Sequence, residues 1–358
     1  METADAVFWI LLRASAQAAV VALLVLAVIR CFANRLSPAW RHFLWLLVAM
    51  RLALPFMPGS DLSVFNLVRF LPSQGQILPQ IPAVEWIELP SPDAVPAAHP
   101  VGEEEISQRP AAPAGIIGFS DRFSAMAILV GQWLPFIWLA WALVAAVRLF
   151  WHSIRFWSRV RGLRSVTDHG ALSLLEDCRA RMRVRIPVAL YETDQVTRPA
   201  LLGALRPRIR LPAGTLAQFS VEELRCVFLH ELAHLKRCDI LVGWGLAFLS
   251  VLHWFNPLVR FAFRRAWAER EEACDLTALS HMDEGASERY GGTLIKILER
   301  SAAPQPLIAV VGILEDRKHM ERRIRHIAGF RKSAIRWSLA APLALLVLAG
   351  VGLTDSME

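Results

Sequence analysis

The stretch of sequence that decides the fold is residues 220–239, which read SVEELRCVFLHELAHLKRCD. Its opening Ser-Val-Glu-Glu has the pattern of a capping box, in which a serine and a glutamate three residues later accept hydrogen bonds from each other's backbone N–H groups. The pattern predicts a helix that begins at Val221. The apolar face of this helix is expected to consist of Leu224, Val227, Phe228, Leu229, Leu232 and Leu235.

Two histidines on this helix, His230 and His234, are four positions apart and therefore lie on the same face. Two imidazoles placed in this way can bind one metal ion, and the intervening Glu231 then points close to a metal-bound water, as in a zinc peptidase. A third ligand must leave one coordination position open for that water, and Glu271, which opens the run EEACD, is the natural candidate. The alternative of a core helix with chance histidines is disfavoured by the helix cap and by this downstream acid.

The composition indicates a membrane protein. Hydrophobic residues make up 55% of the 358-residue chain and the mean hydropathy is +0.39, values too high for an ordinary soluble enzyme. The apolar residues are concentrated in four blocks, each close to the roughly 17–25 residues that cross a bilayer as a helix. The predicted transmembrane helices are residues 7–29, 43–58, 126–147 and 337–353. A cleaved signal peptide is a poorer explanation of the first block, because no A-x-A-like site follows it.

The arginine distribution predicts the orientation, because positively charged connections stay on the cytoplasmic side. Arginines crowd the connection after the first span, the segment after the third and the segment before the fourth, whereas residues 59–122 hold eight acids and three arginines. The N-terminus is therefore expected outside and the region 148–336 in the cytoplasm. The net charge of +7 follows from this topology and from contact with anionic lipid. No nucleic-acid-binding module is recognisable, so no direct nucleic acid partner is expected.

These patterns predict a multi-pass protein of a bacterial-type inner (cytoplasmic) membrane, with the lipid bilayer as a partner. The expected organisation is transmembrane helices one and two in 1–58, an extracytoplasmic proline-rich loop in 59–122, a third transmembrane helix in 123–147, a cytoplasmic zinc metallopeptidase domain in 148–335, and a fourth transmembrane helix with a short outer tail in 336–358. Arg13 and Arg51 lie inside predicted spans, and their long side chains are expected to reach the outer surface.

Short strands and helices are predicted around the histidine helix. The expected helices are 171–183 and 259–280, and the expected strands are 187–191, 200–203 and 208–211. Residues 240–255 are almost wholly apolar. A single membrane crossing there would put Glu271 on the opposite side of the membrane from the histidines, so a buried core helix or an in-plane membrane contact is expected instead.

Four motifs in this region resemble those of the BlaR/MecR type of membrane zinc peptidase, in the order found in that family. They are TRP at 197–199 with PRIRLP at 207–212, HELAHLKRCD at 230–239, HWFNP at 253–257 and EEACD at 271–275. The four-span layout and the outer loop also resemble that family. The resemblance implies an α-helical membrane protein with four transmembrane helices and an inserted α+β peptidase domain of the gluzincin kind.

Carried over by position, the resemblance implies that His230, His234 and Glu271 bind Zn²⁺ and that Glu231 is the general base. Zinc lowers the pKa of its bound water to roughly 7, so hydroxide is available at cellular pH. Tyr290 occupies a downstream position where the family often has tyrosine, and it is a candidate oxyanion donor. The strand at 208–211 is expected either to hold an extended substrate or to be ordinary core sheet.

Further acids surround the expected ligands. Asp275 lies one turn after Glu271 and is placed to orient a histidine ligand. Asp239 has two equally weighted interpretations, orienting a histidine or capping a helix. Glu269 and Glu272 compete with Glu271 as the third ligand, but each points about 100–200° away around the helix.

The expected function is an integral-membrane zinc endopeptidase that hydrolyses a cytoplasmic protein, such as a transcriptional repressor, in regulated signalling. Family members that sense β-lactams carry a penicillin-binding-like domain after the fourth span, whereas this sequence ends at Glu358. No reaction with β-lactams is therefore expected, and a separate outer sensor protein is a candidate partner. The alternatives are a non-proteolytic transducer or scaffold with a structural zinc site, and a quality-control membrane protease.

Overall fold

The computed structural model describes residues 2–32, 35–66, 119–160, 165–301, 317–330 and 340–355. Most of the predicted outer loop, residues 67–118, and the start of the predicted fourth span, residues 337–339, lie outside the described residues. The helices are α1 Glu2–Cys31, α2 Pro38–Ala53, α3 Phe119–Val160, α4 His169–Arg181, α5 Thr215–Gln218, α6 Val221–Lys236, α7 Asp239–Leu252, α8 Pro257–Ser280, α9 Ala286–Ser301, α10 Arg317–Ala328 and α11 Ala340–Gly352. The strands are β1 Ala189–Thr193, β2 Ala200–Leu202 and β3 Arg208–Pro212.

The chain divides into two compact units, one of Met1–Asn66 with Trp138–Glu358 and one of Leu67–Ile137. The second unit is described only by the part of α3 that ends at Ile137. All of the contacts discussed below belong to the first unit.

Among the residues that the structure describes, two helices are long and apolar enough to cross a membrane, as judged by length and composition. They contain Asp5–Cys31 in α1 and Trp133–Arg155 in α3, which coincide with the first and third predicted spans. The helices at the other two predicted spans are shorter, since α2 has 16 residues and the described part of the last span, α11, has 13. The protein is thus mostly helical, with a small sheet and two candidate membrane helices.

The sheet has the strand order β1-β3-β2, and the three predicted strands are confirmed within one or two residues. β1 runs parallel to β3, with Ala189 opposite Arg208, and β2 runs antiparallel to β3, with Ala200 opposite Arg210. Gly203 begins the connection from β2 to β3 with a φ of 84°, a conformation that side chains with a Cβ rarely adopt. The sheet packs on α6, which carries the two histidines.

The buried residues of the first unit form two main cores. One contains the inner faces of α4, α6 and the sheet, and the other contains α1, α2, α7 and α11. α8 contributes to both, with Val259, Phe263 and Ala266 in the second core and Cys274 and Leu279 in the first. α8 therefore connects the helices near the chain termini to the domain that carries the histidines.

Asn256 fixes the start of α8. Its side-chain oxygen accepts hydrogen bonds from the backbone N–H groups of Leu258 and Val259, at 3.0 and 3.2 Å. Its amide nitrogen donates to the backbone oxygen and the hydroxyl of Ser15 in α1, at 2.9 and 2.8 Å. Pro257 occupies the first helical position, where a missing N–H is harmless. One buried side chain thus caps α8 and binds it to α1.

Arg51 differs from its prediction, because its side chain does not reach the surface. The residue is fully buried, and its guanidinium donates to the side chains of Gln17 and Asp355 and to the backbone oxygen of Leu54. A carboxylate from the segment after α11 therefore neutralises this charge inside the protein, which removes the need to reach water. Arg13, by contrast, has an exposed side chain.

Candidate metal centre

The position of both histidines follows from the start of α6. Ser220 Oγ accepts a hydrogen bond from the backbone N–H of Glu223 at 3.2 Å, and Glu223 Oε2 accepts one from the backbone N–H of Ser220 at 2.8 Å. This capping box is the predicted one, and the helix begins at Val221 as expected. The helix then runs without interruption through His230 and His234.

Three predicted ligands lie together. The two Nε2 atoms of His230 and His234 are 3.3 Å apart, and Glu271 Oε2 is 3.7 Å from the first and 3.8 Å from the second. A tetrahedral zinc site with metal–ligand distances of about 2.0–2.1 Å has ligand–ligand edges of about 3.3–3.4 Å. Two imidazoles and one carboxylate are also the donor set of zinc sites that keep one position open. The residues present therefore fit a zinc ion.

The three side chains remain partly accessible, with 17%, 14% and 22% exposure for His230, His234 and Glu271. Glu231 lies next to His230 in α6 and is itself buried. A ligand set with an exposed side is what a catalytic site requires, because a water molecule and a substrate must both reach it.

Glu271 is directed towards the histidines by its neighbour Arg270. The Arg270 guanidinium donates to Glu271 Oε1, with Nη2 at 2.8 Å, and this leaves Oε2 facing the two imidazoles. Burial raises the pKa of Glu271, but His234 and Arg270 outweigh it and hold this pKa well below its usual range. The carboxyl group is therefore ionised at neutral pH, as a metal ligand must be.

His234 is oriented by Asp239, whose Oδ2 lies 2.8 Å from His234 Nδ1. Cys238 makes this contact feasible, because its left-handed conformation, with a φ of 56°, turns the chain sharply between α6 and α7. Asp239 is the first residue of α7, after the cap position at Cys238. Of the two interpretations of Asp239, the geometry favours orienting a histidine.

His230 is held from behind by two residues. Its Nδ1 lies 3.2 Å from Asp275 Oδ1 and 2.8 Å from the hydroxyl of Tyr290, which in turn donates to Asp275 Oδ1 at 2.9 Å. Burial lowers the pKa of His230, but hydrogen bonds with Asp275 and Glu271 raise it to about 10. The Asp275 carboxylate at Nδ1 makes the imidazole a stronger candidate ligand and leaves its Nε2 directed at His234 and Glu271.

Tyr290 therefore occupies a different place from the one expected of an oxyanion donor. Its hydroxyl lies on the Nδ1 side of His230, buried against Asp275, and not on the exposed side of the three ligands. Burial and the Asp275 carboxylate raise the pKa of Tyr290 well above its ordinary value, so the hydroxyl stays protonated. This geometry favours a role in holding His230.

Glu269 and Glu272, the competing third ligands, are turned away from the histidines. Arg41 of α2 lies 2.9 Å from Glu269 Oε2 and 3.3 Å from Glu272 Oε2. Arg322 of α10 forms a further ion pair with Glu272. Both glutamates are almost fully buried, and they are paired with arginines from α2 and α10 instead of facing His230 and His234.

A second group of potential ligands shares His234 and consists of His234, Asp239 and Cys274. Cys274 Sγ lies 3.1 Å from Asp239 Oδ2 and 3.3 Å from His234 Nδ1. Burial and the acids Asp239 and Glu271 raise the pKa of the Cys274 thiol well above its ordinary value. Cys274 and Asp239 are also buried, so this group lacks the accessible side of the first one.

The sequence did not predict three of the side chains around the site. Arg270 and Cys274 flank the predicted acids, and their contacts depend on rotamers that spacing does not specify. Arg323 of α10 donates to both oxygens of Asp275, at 2.7 and 2.8 Å. Its contact is formed by two separate helices, and no local pattern indicates it.

The chain is similar in sequence to known proteins. The sequence model of the family Peptidase_M56, described as BlaR1 peptidase M56, matches residues 9–327. The regulatory protein BlaR1 of Bacillus licheniformis is 28% identical over 214 residues, which are 60% of this chain and 35% of that protein. The methicillin resistance mecR1 protein of Staphylococcus aureus is 21% identical over 155 residues, 43% of this chain and 26% of that protein. The matched region thus spans about a third or less of these relatives. The match across most of the chain shows that this protein belongs to the BlaR1-type M56 peptidase family.

Proposed function

We propose that this protein is an integral-membrane zinc endopeptidase that cleaves a cytoplasmic protein as part of regulated signalling. The observation that carries the proposal is the triangle of His230 Nε2, His234 Nε2 and Glu271 Oε2, whose edges of 3.3, 3.7 and 3.8 Å suit a zinc ion with one open side. Membership of the M56 family supports the peptidase activity.

Each residue has a role that follows from its position. A zinc ion bound by His230, His234 and Glu271 supplies Lewis-acid chemistry, polarising water and the carbonyl of the peptide bond. Glu231 accepts the proton of the attacking water and passes it to the leaving amine. Asp239 and Asp275 hold the Nδ1 atoms of the two histidines, so that both Nε2 lone pairs stay directed at the metal.

The membrane arrangement is part of the proposal. α1 and α3 are the first and third of four membrane spans, and α2 and α11 belong to the second and fourth. Residues 59–122 lie outside, and the peptidase domain of residues 148–335 lies in the cytoplasm of a bacterial-type cell. The asymmetric distribution of arginine supports this orientation.

The proposed substrate is a cytoplasmic regulatory protein of the repressor type, and a separate outer sensor protein is a proposed partner. Support comes from the relatives, which are named as a regulatory protein and as methicillin resistance proteins. A scaffold with a purely structural zinc site is the second candidate. It is less well supported, because a structural site uses a closed set of ligands and has no need of Glu231.

Glu231→Gln is the test of the proposed activity. The amide keeps the shape of the side chain but cannot accept the proton of water, and loss of a general base typically lowers the rate about 10²–10⁴-fold. We expect the purified variant to retain about one zinc per chain, measured by atomic emission. Comparison of the cytoplasmic proteome in cells with the wild-type protein and with this variant should reveal fragments that require Glu231. Identical fragments in both would favour the scaffold.

A further inference from the structure

Arg323 is a buried cation next to the metal centre but outside its ligand set. It lies in α10, and only 4% of the residue is exposed. Its Nε donates to Asp275 Oδ2 at 2.7 Å and its Nη2 donates to Asp275 Oδ1 at 2.8 Å. Its Nη1 lies 3.9 Å from Oε2 of Glu271, the proposed third ligand, which is a longer and weaker contact. Such a two-pronged pair fixes both carboxylate oxygens, and hence the rotation of the carboxylate plane.

The oxygen that Arg323 Nη2 holds is the one that faces His230. Asp275 Oδ1 lies 3.2 Å from His230 Nδ1 and 2.9 Å from the Tyr290 hydroxyl. The Asp275 carboxylate is thus paired with a cation and fixed in orientation where it meets the imidazole.

We propose that Arg323 is a positioning residue of the metal centre, which acts through Asp275 to orient His230. The inference rests on the proposed zinc site and adds to it a residue from a separate helix. A buried carboxylate that loses its cation is strongly destabilised and has to find another partner. That change alters the hydrogen bond to His230 Nδ1 and the direction of the opposite lone pair.

The neighbouring Arg322 provides a matched control. It belongs to the same helix and also binds a buried carboxylate of α8, but its partner is Glu272, on the side that faces away from the ligands. Removing Arg322 leaves Glu272 paired with Arg41 and His326, whereas removing Arg323 leaves Asp275, among the described residues, paired with His230 alone. Only the loss of Arg323 is expected to affect His230.

The experiment measures the zinc affinity of the full chain in detergent by competition with a chromophoric chelator. We expect Arg323→Met to weaken zinc binding about 10–100-fold, the usual effect of losing a partner that orients a ligand. Arg322→Met should stay within about threefold of the wild type, because its carboxylate does not touch a ligand. The zinc affinity of Arg323→Lys should lie between those of the wild type and Arg323→Met, since an ammonium supplies the charge but not the planar fork of a guanidinium.

A double variant tests the route through Asp275. If Arg323 acts through that carboxylate, adding Arg323→Met to Asp275→Asn should weaken zinc binding little beyond Asp275→Asn alone. Cobalt replacing zinc gives an independent readout, since its visible absorption reports ligand geometry. The spectrum should change in Arg323→Met and remain that of the wild type in Arg322→Met.

The outcomes separate this inference from the function on which it rests. A wild-type protein that binds no zinc contradicts the proposed function. Wild-type binding that is unchanged in Arg323→Met, or equally weakened in Arg322→Met, contradicts the positioning role alone. If Arg323→Met does not fold, Arg323→Lys and Arg322→Lys make the same comparison with the charge retained, and equal affinities in that pair would also overturn the inference.

Discussion

At the scale of a single residue, the Tyr290 hydroxyl has two candidate roles, which are to hold His230 and to donate a hydrogen bond to the substrate oxyanion. It lies 2.8 Å from His230 Nδ1 and 2.9 Å from Asp275 Oδ1, and so it contacts the proposed ligand His230 on the side away from Nε2. Phenylalanine removes this hydroxyl and keeps the ring. We expect Tyr290→Phe to weaken zinc binding by about tenfold, in the range found for other partners of metal-bound histidines.

Chelator competition measures this effect, and kcat measured at saturating zinc separates the two roles. Loss of an oxyanion donor typically lowers kcat about 10²–10³-fold. A decrease in kcat of that size at unchanged zinc affinity would favour the role of Tyr290 as an oxyanion donor.

Cys274 and Glu271 distinguish the two overlapping groups of potential ligands. We expect Cys274→Ala to keep one zinc per chain with an affinity within about threefold of wild type, since the thiol lies behind His234. Glu271→Gln should lose most of the zinc, because the charged carboxylate is a direct ligand in the proposed site. Metal content after dialysis measures both variants. If zinc is lost from Cys274→Ala but retained in Glu271→Gln, the metal is assigned instead to the buried group of His234, Asp239 and Cys274.

Much of the site could be predicted because it is built from local spacing. The i, i+4 separation brings His230 and His234 to one face of α6 whatever surrounds the helix. Glu271 and Asp275 share a face of α8 for the same reason. Arg323 could not be predicted in this way, because its contact requires α10 to pack on α8, and that packing is set by side chains from both helices.

At the scale of elements, the start of α6 is fixed by the Ser220–Glu223 capping box. Removing the serine hydroxyl leaves a backbone N–H of the first turn without its partner and costs about 1 kcal/mol. We expect Ser220→Ala to lower the thermal midpoint of the purified protein by about 2–4 °C. Circular dichroism during heating measures this shift.

Ser173→Ala is the matched control for this substitution, because Ser173 is exposed in the middle of α4. Alanine is at least as good a helix former as serine there, so its midpoint should not fall. Equal decreases in the thermal midpoint of the two variants would contradict a specific contribution of the capping box to stability.

The element boundaries show which signals in a sequence are strong. The start of α6 was predicted to the residue, since a reciprocal cap specifies a position. α8 begins at Pro257, two residues before the predicted start, because Asn256 supplies the cap and proline fits the first turn. α2 runs from Pro38 to Ala53 and so differs more from the predicted span 43–58, because hydropathy alone does not specify the residues at which a helix begins and ends.

At the scale of the whole molecule, the proposed topology places residue 62 outside and residue 205 in the cytoplasm. Leu62 and Leu205 are 74% and 92% exposed, so a cysteine at either position should be accessible to reagents on its own side. In a variant without the five native cysteines, a membrane-impermeant maleimide should label Leu62→Cys in intact cells. It should label Leu205→Cys only after the membrane is permeabilised. The opposite pattern would reverse the orientation.

The cap at Asn256 has a mechanical consequence for the whole molecule. Glu271 follows Asn256 by 271 − 256 = 15 residues, which places it about 22 Å further along the axis of α8. If α8 pivots as a rigid rod on its attachment to Ser15, a tilt of only about 5° moves the far end by about 2 Å. Misplacement of a reacting group by about 1 Å can lower a rate about 100-fold. In that case the helix would act as a lever, and the contact between Asn256 and Ser15 would help to keep Glu271 within reach of the two histidines.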